Sequence, residues 1–161
     1  QYWRDNRLNM IHEGTHGIQG LDLLGRKVVM DGGAGLKLLA GRISTTIERA
    51  GHESGLAEPA NALAAALQRL GSATKAAWST GQPEEALANA TPYLQAFGHV
   101  VLAWLWLDVA MAARRAGSTL VDGKLAAMRY FFAYELPRID AWLAVVASRE
   151  AVCREMRDEW F

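Results

Sequence analysis

Val100-Val101-Leu102-Ala103-Trp104-Leu105-Trp106-Leu107-Asp108-Val109-Ala110-Met111-Ala112-Ala113 is apolar on every face but for Asp108. An α-helix turns once every ~3.6 residues, so a run with no polar stripe has no side to offer water and must be surrounded. The run is shorter than the ~20 residues of a bilayer span, and His99 stands just before it, so it reads as the central helix of a bundle rather than a membrane span. Pro92 would cost about 3 kcal/mol inside a helix, which makes Thr91 the cap and Pro92 the first residue of a helix to Arg115, closed by Gly117.

The rest of the chain follows the same period. Thr15 can cap a helix whose Ile18, Leu21, Leu24 and Val28 share a face and which Asp31-Gly32-Gly33 stops. A second carries Leu36, Leu39, Ala40, Ile43 and Ile47 to Gly51. Pro59 opens a third, through Leu63, Leu67, Leu70 and Ala77 to the break at Gly81-Gln82-Pro83, where Pro83 suits a first helical position and Glu84 and Glu85 suit the positive end of the dipole. After the long helix, a fifth starts near Asp122 with Leu125, Met128 and Phe132 inward, bends at Pro137, and resumes through Trp142, Leu143 and Val146; Val152, Met156 and Trp160 mark a short last helix. Nothing alternates with period two. The fold class is all-α, an antiparallel helical bundle of about five to six helices.

Composition narrows the function. In 161 residues, 17 Lys and Arg balance 17 Asp and Glu, so the cationic footprint of nucleic-acid binding is missing. A 51% hydrophobic content supports a packed core, and the single Cys153 permits neither a disulfide framework nor a cysteine metal cage, which fits a reducing, cytoplasmic setting. The first residues, Gln1-Tyr2-Trp3-Arg4-Asp5-Asn6-Arg7, lack an initiator Met and the order of a signal peptide, and read as a cut end. Trp104, Trp106, Tyr130, Phe131, Phe132 and Trp142 follow helix faces and read as core packing; Asp108 is expected to pair with an Arg such as Arg129, and Cys153 to be an ordinary thiol.

His12-Glu13-Gly14-Thr15-His16 satisfies the HExxH pattern, in which two His one turn apart bind zinc and the Glu is general base to the metal-bound water. Gly14 weakens the helix this needs, and the extended pattern would want Gly at Gln19 and His at Asp22. A zinc-dependent hydrolase is one alternative, with a third ligand from Glu48 or Glu53; a non-catalytic helical interaction module is another.

The wider context carries a resemblance. Tyr2-Trp3-Arg4-Asp5, then Ile11-His12-Glu13-Gly14-Thr15-His16-Gly17-Ile18-Gln19-Gly20-Leu21-Asp22-Leu23-Leu24-Gly25-Arg26-Lys27, resembles the last signature segment of the acyl-CoA dehydrogenases: a YRD-like start, an IYEGT core, then NGIQALDLLGRK. His12 stands at the usual Tyr, and His16 where Asn, Thr or Ser is common. Val121-Asp122-Gly123-Lys124-Leu125-Ala126-Ala127-Met128-Arg129-Tyr130-Phe131-Phe132-Ala133-Tyr134-Glu135-Leu136-Pro137 is similar to the FYEGKLAAARFFF-type segment of the extra C-terminal helical domain in one branch of that family, which includes forms acting on long or unusual acyl groups such as methylmercaptopropionyl-CoA.

The resemblance implies that residues 1–31 end the catalytic helical domain, with base loop and following helix, and that residues 32–161 form the extra bundle domain. It implies a C-terminal segment of an FAD-dependent enzyme that oxidises an acyl-CoA to the 2,3-enoyl-CoA, hands electrons to an acceptor, and is a homo-oligomer, dimer or tetramer, when whole. Glu13 would be the catalytic base and Gly14 a substrate contact whose missing side chain lets substrate and flavin lie close. Thr15, His16 and Gly17 would touch the flavin nucleotide, and Gln19 the dinucleotide of a neighbouring subunit. Arg4 and Asp5 would brace the base loop. No metal is implied, and this segment alone is expected to hold no FAD and to be inactive.

Overall fold

The computed structural model describes residues 4, 5, 7–10, 15–117 and 119–161, and among them every regular element is helical. A 3-10 turn, Arg7–Met10, precedes α1 (His16–Asp22), which runs on through a π-helical turn, Leu23–Lys27. Then come α2 (Met30–Gly51), α3 (Ala57–Ala77), the short α4 (Pro83–Leu87), α5 (Ala90–Arg115) and α6 (Val121–Tyr130). A π turn, Phe131–Glu135, and a 3-10 turn, Leu136–Arg138, bend the chain into α7 (Ile139–Ser148), and Asp158–Trp160 forms a last 3-10 turn. The all-α bundle is therefore what the helical periods require.

Its core is a seam of small and large residues. On α5, Tyr93, Ala96, Val100, Ala103, Leu107 and Ala110 are buried, alternating steps of three and four. On α3, Leu63, Ala66, Leu70, Ala73 and Ala77 keep the same rhythm. Alanines opposite leucines let helices approach and interdigitate, and Leu143 and Val146 of α7 and Ile43 of α2 complete the core. α5 packs against α1, α2, α3, α6 and α7, so it is the central helix. Its 26 residues are, by length and composition, enough to cross a membrane, more than the run Val100–Ala113 suggests, and about a third of its most apolar stretch is buried inside the bundle, so that a span-like length and a core seam coexist in one helix.

Several local expectations are corrected. Thr15 sits at the N-cap of α1 with φ −93° and ψ −6° and makes no side-chain cap bond; a capping hydroxyl needs extended backbone at that residue, and here the carbonyl of Thr15 accepts from Gln19 N–H at 2.8 Å instead. Only Leu24 and Val28 of the expected stripe are buried, whereas Ile18 is 66% and Leu21 46% exposed. Asp31, Gly32 and Gly33 do break the helix, with φ of 52°, 63° and 81°. Leu56, not a residue next to Pro59, caps α3. Asn89, not Thr91, precedes α5, and Pro92 falls inside the first turn, where its missing N–H would have no intrahelical acceptor.

Phe131 is buried and Phe132 half-buried: both lie one turn beyond buried Met128, and Phe131 is the one turned inward, with the π turn following it. Val152 and Met156 lie outside any helix, Trp160 falls in the final 3-10 turn, and all three are exposed: a short segment with its apolar stripe open to water does not pay for nucleating a longer helix. Asp108 makes no ion pair with Arg129, which faces outward beside the buried Met128. Tyr130, 57% exposed, is not core; it stacks on Tyr134 with ring centroids 4.9 Å apart.

Candidate functional site

Four of the residues singled out by the sequence, Thr15, His16, Gly17 and Gln19, stand at the start of α1. Thr15 is half-buried, and His16, Gly17 and Gln19 are exposed on the first turn. A methyl group built on Gly17 would meet nothing within 4 Å, so the turn is open above that backbone. A hydroxyl, an imidazole, a carboxamide and the free N–H groups of a helix start are donors that can receive a polar group laid against them. His12, Glu13 and Gly14 lie outside the described residues and precede Thr15 directly in the sequence.

What holds this turn in place is the next turn of the same helix. Gly20 is buried, and a Cβ there would come within 2.7 Å of the Ala90 carbonyl oxygen, so α1 crosses the start of α5 with backbone nearly touching backbone. Leu24 is fully buried, and its carbonyl accepts the indole N–H of Trp78 at 3.2 Å. The π turn spaces its bonds five residues apart, with Val28 N–H donating to the Leu23 carbonyl at 3.0 Å. On the outer side Arg26 pairs with Asp22, and that hydrogen bond holds the Asp22 carboxyl below its usual range. Gly20 and Trp78 escaped the reading of the sequence. A glycine inside an otherwise helical pattern was the available sign of the first; the second has none, since its partner is a backbone carbonyl 54 residues away.

His16, the one metal-binding letter of the HExxH pattern among the described residues, is exposed, and no group of three His, Cys, Asp or Glu among the described residues could hold a metal ion. Trp104, Trp106, Phe132 and Trp142 pack partly buried against the core, and Trp104 donates to the Thr46 hydroxyl at 2.8 Å, which closes off an aromatic tunnel as a reading. A shallow open cleft of about 320 Å³ between α2 and α3, lined by Ile47, Glu48 and Leu67, includes no residue of α1. Cys153 is exposed.

Known proteins point the same way. The sequence model of a family described as acetyl-CoA dehydrogenase C-terminal like matches residues 39–157. A 3-methylmercaptopropionyl-CoA dehydrogenase of Ruegeria pomeroyi is 33% identical over 133 residues, covering 76% of this chain and 21% of that protein. FadE5 of Mycobacterium tuberculosis, a broad-specificity linear acyl-CoA dehydrogenase, is 27% identical over 179 aligned positions, covering 100% of this chain and 29% of that protein. The chain thus spans between a fifth and a third of the length of these relatives.

Proposed function

The chain belongs to the acetyl-CoA dehydrogenase C-terminal-like family, and from that premise we propose that it is the C-terminal part of an FAD-dependent acyl-CoA dehydrogenase in which Glu13 is the catalytic base. The observation that carries this reading is the placement of Thr15, His16, Gly17 and Gln19 on one open turn directly after the Glu13-Gly14 pair, on a helix anchored to the bundle. Residues 1–31 would then close the catalytic domain and 32–161 form the added bundle. The backbone break at Asp31–Gly33 and a family match that starts at residue 39 support that division. A cytoplasmic setting and a homo-oligomer belong to the same proposal.

The residues present suit a flavin dinucleotide: the donors of Thr15, His16 and Gln19 are suited to its phosphates and hydroxyls, and Gly17 leaves room for it. When bound, the flavin supplies the hydride acceptor. The work of this chain is to take the proton. The Glu13 carboxylate removes the α proton of the acyl thioester as the β hydrogen departs with its bonding pair, leaving the 2,3-double bond. A carboxylate is a weak base toward such a C–H in water. Enclosure in an apolar pocket strengthens it, and a hydrogen bond from the Glu13 amide to the thioester carbonyl acidifies the α carbon. Gly14 adds no side chain at the place where substrate must approach the backbone.

The test is Glu13→Gln in the intact enzyme, followed by anaerobic single-turnover reduction at the flavin absorbance band. Acyl-CoA binding should persist while flavin bleaching slows by at least about a hundredfold, the low end for loss of a general base. Bleaching at the normal rate would move the base to another element.

A further inference from the structure

We infer that Trp78 is a positioning residue for α1 and, through α1, for the segment that carries Glu13; the second half of this rests on the function proposed above. α1 and the π turn that continues it meet the bundle at several places, among them two on consecutive turns. At Gly20 its backbone lies against Ala90, and at Leu24 its carbonyl receives the Trp78 indole N–H at 3.2 Å. A helix held at one point can pivot and roll, and a roll of one residue carries every side chain through about 100°. Two anchors about one turn apart remove that freedom. The Gly20 contact is steric and without direction, whereas the indole bond is directional, so it sets the rotation that keeps Thr15, His16, Gly17 and Gln19 on the open side.

The donor end of the bond is itself fixed. Trp78 caps the C-terminus of α3, where the Arg149 guanidinium donates to the Ala76 carbonyl at 3.1 Å and to the Ser79 hydroxyl, and pairs with Glu85 at 3.6 Å. The acceptor lies in the π turn Leu23–Lys27, where the widened bond spacing leaves a carbonyl within reach of a donor from another helix. The bundle is thus a splint: it grips the helix beside the proposed catalytic segment from the rigid end of α3.

Trp104→Phe is the control, because its indole N–H goes to Thr46 on α2 and leaves α1 alone. Trp78→Phe keeps an aromatic ring, though a smaller one, and removes the donor, and Trp104→Phe carries the same loss of volume. If it fails to fold, the benzothienyl analogue of Trp at position 78 has the same shape without the N–H. Hydrogen exchange of this chain should show amides 19–28 losing protection about three- to tenfold in the position-78 variant and not in Trp104→Phe, the range expected for one hydrogen bond. In the intact flavoenzyme, flavin reduction at saturating acyl-CoA should slow by a similar factor while acyl-CoA affinity stays within about twofold. Unchanged exchange at 19–28, or an equal change in Trp104→Phe, overturns the anchoring. Altered exchange with normal flavin reduction, where Glu13→Gln stops reduction, overturns the positioning role. Altered exchange with reduction untouched by Glu13→Gln refutes the base assignment and leaves the anchoring standing.

Discussion

Gly20 and Gly17 sit three residues apart on α1 and face opposite demands. A methyl group at Gly20 would lie 2.7 Å from the Ala90 oxygen and 2.9 Å from its carbon, both backbone atoms that cannot swing aside. Gly20→Ala should therefore push α1 off α5 and destabilise by about 1–3 kcal/mol, outweighing the ~0.5–1 kcal/mol that alanine gains over glycine in a helix. Gly17→Ala has open space and should show only that gain. Thermal melts should move in opposite directions, by about 2–4 °C per kcal/mol at this chain length, and shifts of the same sign would sink the argument. Tyr93 offers a second test. It is fully buried; the Thr74 hydroxyl spends its proton on the Leu70 carbonyl at 2.8 Å, so the Tyr93 hydroxyl donates to Thr74, also at 2.8 Å. Burial pushes its phenol up to about 12. The folded state thus holds the proton more tightly than the unfolded chain, so this contribution is fully present below the ordinary tyrosine range near ~10 and is lost as pH rises toward 12, by up to about 2–3 kcal/mol. Urea melts at pH 9 and 11.5 should show the loss in the parent and a smaller one in Tyr93→Phe. Neither residue could be ranked from sequence, because each role depends on a neighbour far along the chain.

At the scale of elements, periodicity located the helices well, while their ends and phases moved. The stops at Asp31–Gly33, Gly81–Pro83 and Gly117 were legible because positive φ, or a missing N–H, is a local demand that few residues meet. Starts were less so: the Thr15 and Thr91 hydroxyls are not used as caps, since tertiary contacts at Gly20 and Asn89 set where α1 and α5 begin, the latter through the Asn89 side chain donating to the Glu150 carbonyl at 2.9 Å. Phase failed where a π turn intervenes. From Met128 and Phe131 the next buried residue is Leu136, five on, and then Ile139, Leu143 and Val146 resume steps of three and four. The interruption has a measurable consequence. Phe131 packs beside His99, with ring centroids 5.8 Å apart, so Phe131→Ala should cost about 3–4 kcal/mol. Phe132→Ala should cost less than half of that, because its ring is already partly in water. Chemical denaturation of the two variants decides it, and the reverse order would make Phe132 rather than Phe131 the inward ring.

For the whole molecule, family membership was legible because two segments, 2–27 and 121–137, occur in the right order, yet most of the site's chemistry was not. A base loop functions by what encloses it, and enclosure depends on neighbours far along the chain rather than on the local motif. Ile18 and Leu21 on the outer side of α1 show why the stripe expectation failed there: they are apolar, yet they are 66% and 46% exposed while Leu24 on the next turn is buried. The bundle itself is self-sufficient. Among the described residues no buried side-chain nitrogen or oxygen lacks a hydrogen-bond partner, and α5 ties the other long helices into one core. The 161-residue chain by itself should therefore unfold in a single cooperative transition with helical circular dichroism, and α1 should exchange its amides faster than α3 or α5. It should carry no stoichiometric flavin, because one exposed turn cannot enclose a dinucleotide. The measurement is the visible spectrum of the purified chain set against its protein absorbance. A yellow protein with one flavin per chain would mean that α1 and the bundle form a complete pocket by themselves, and the splint would then be a cofactor site in its own right.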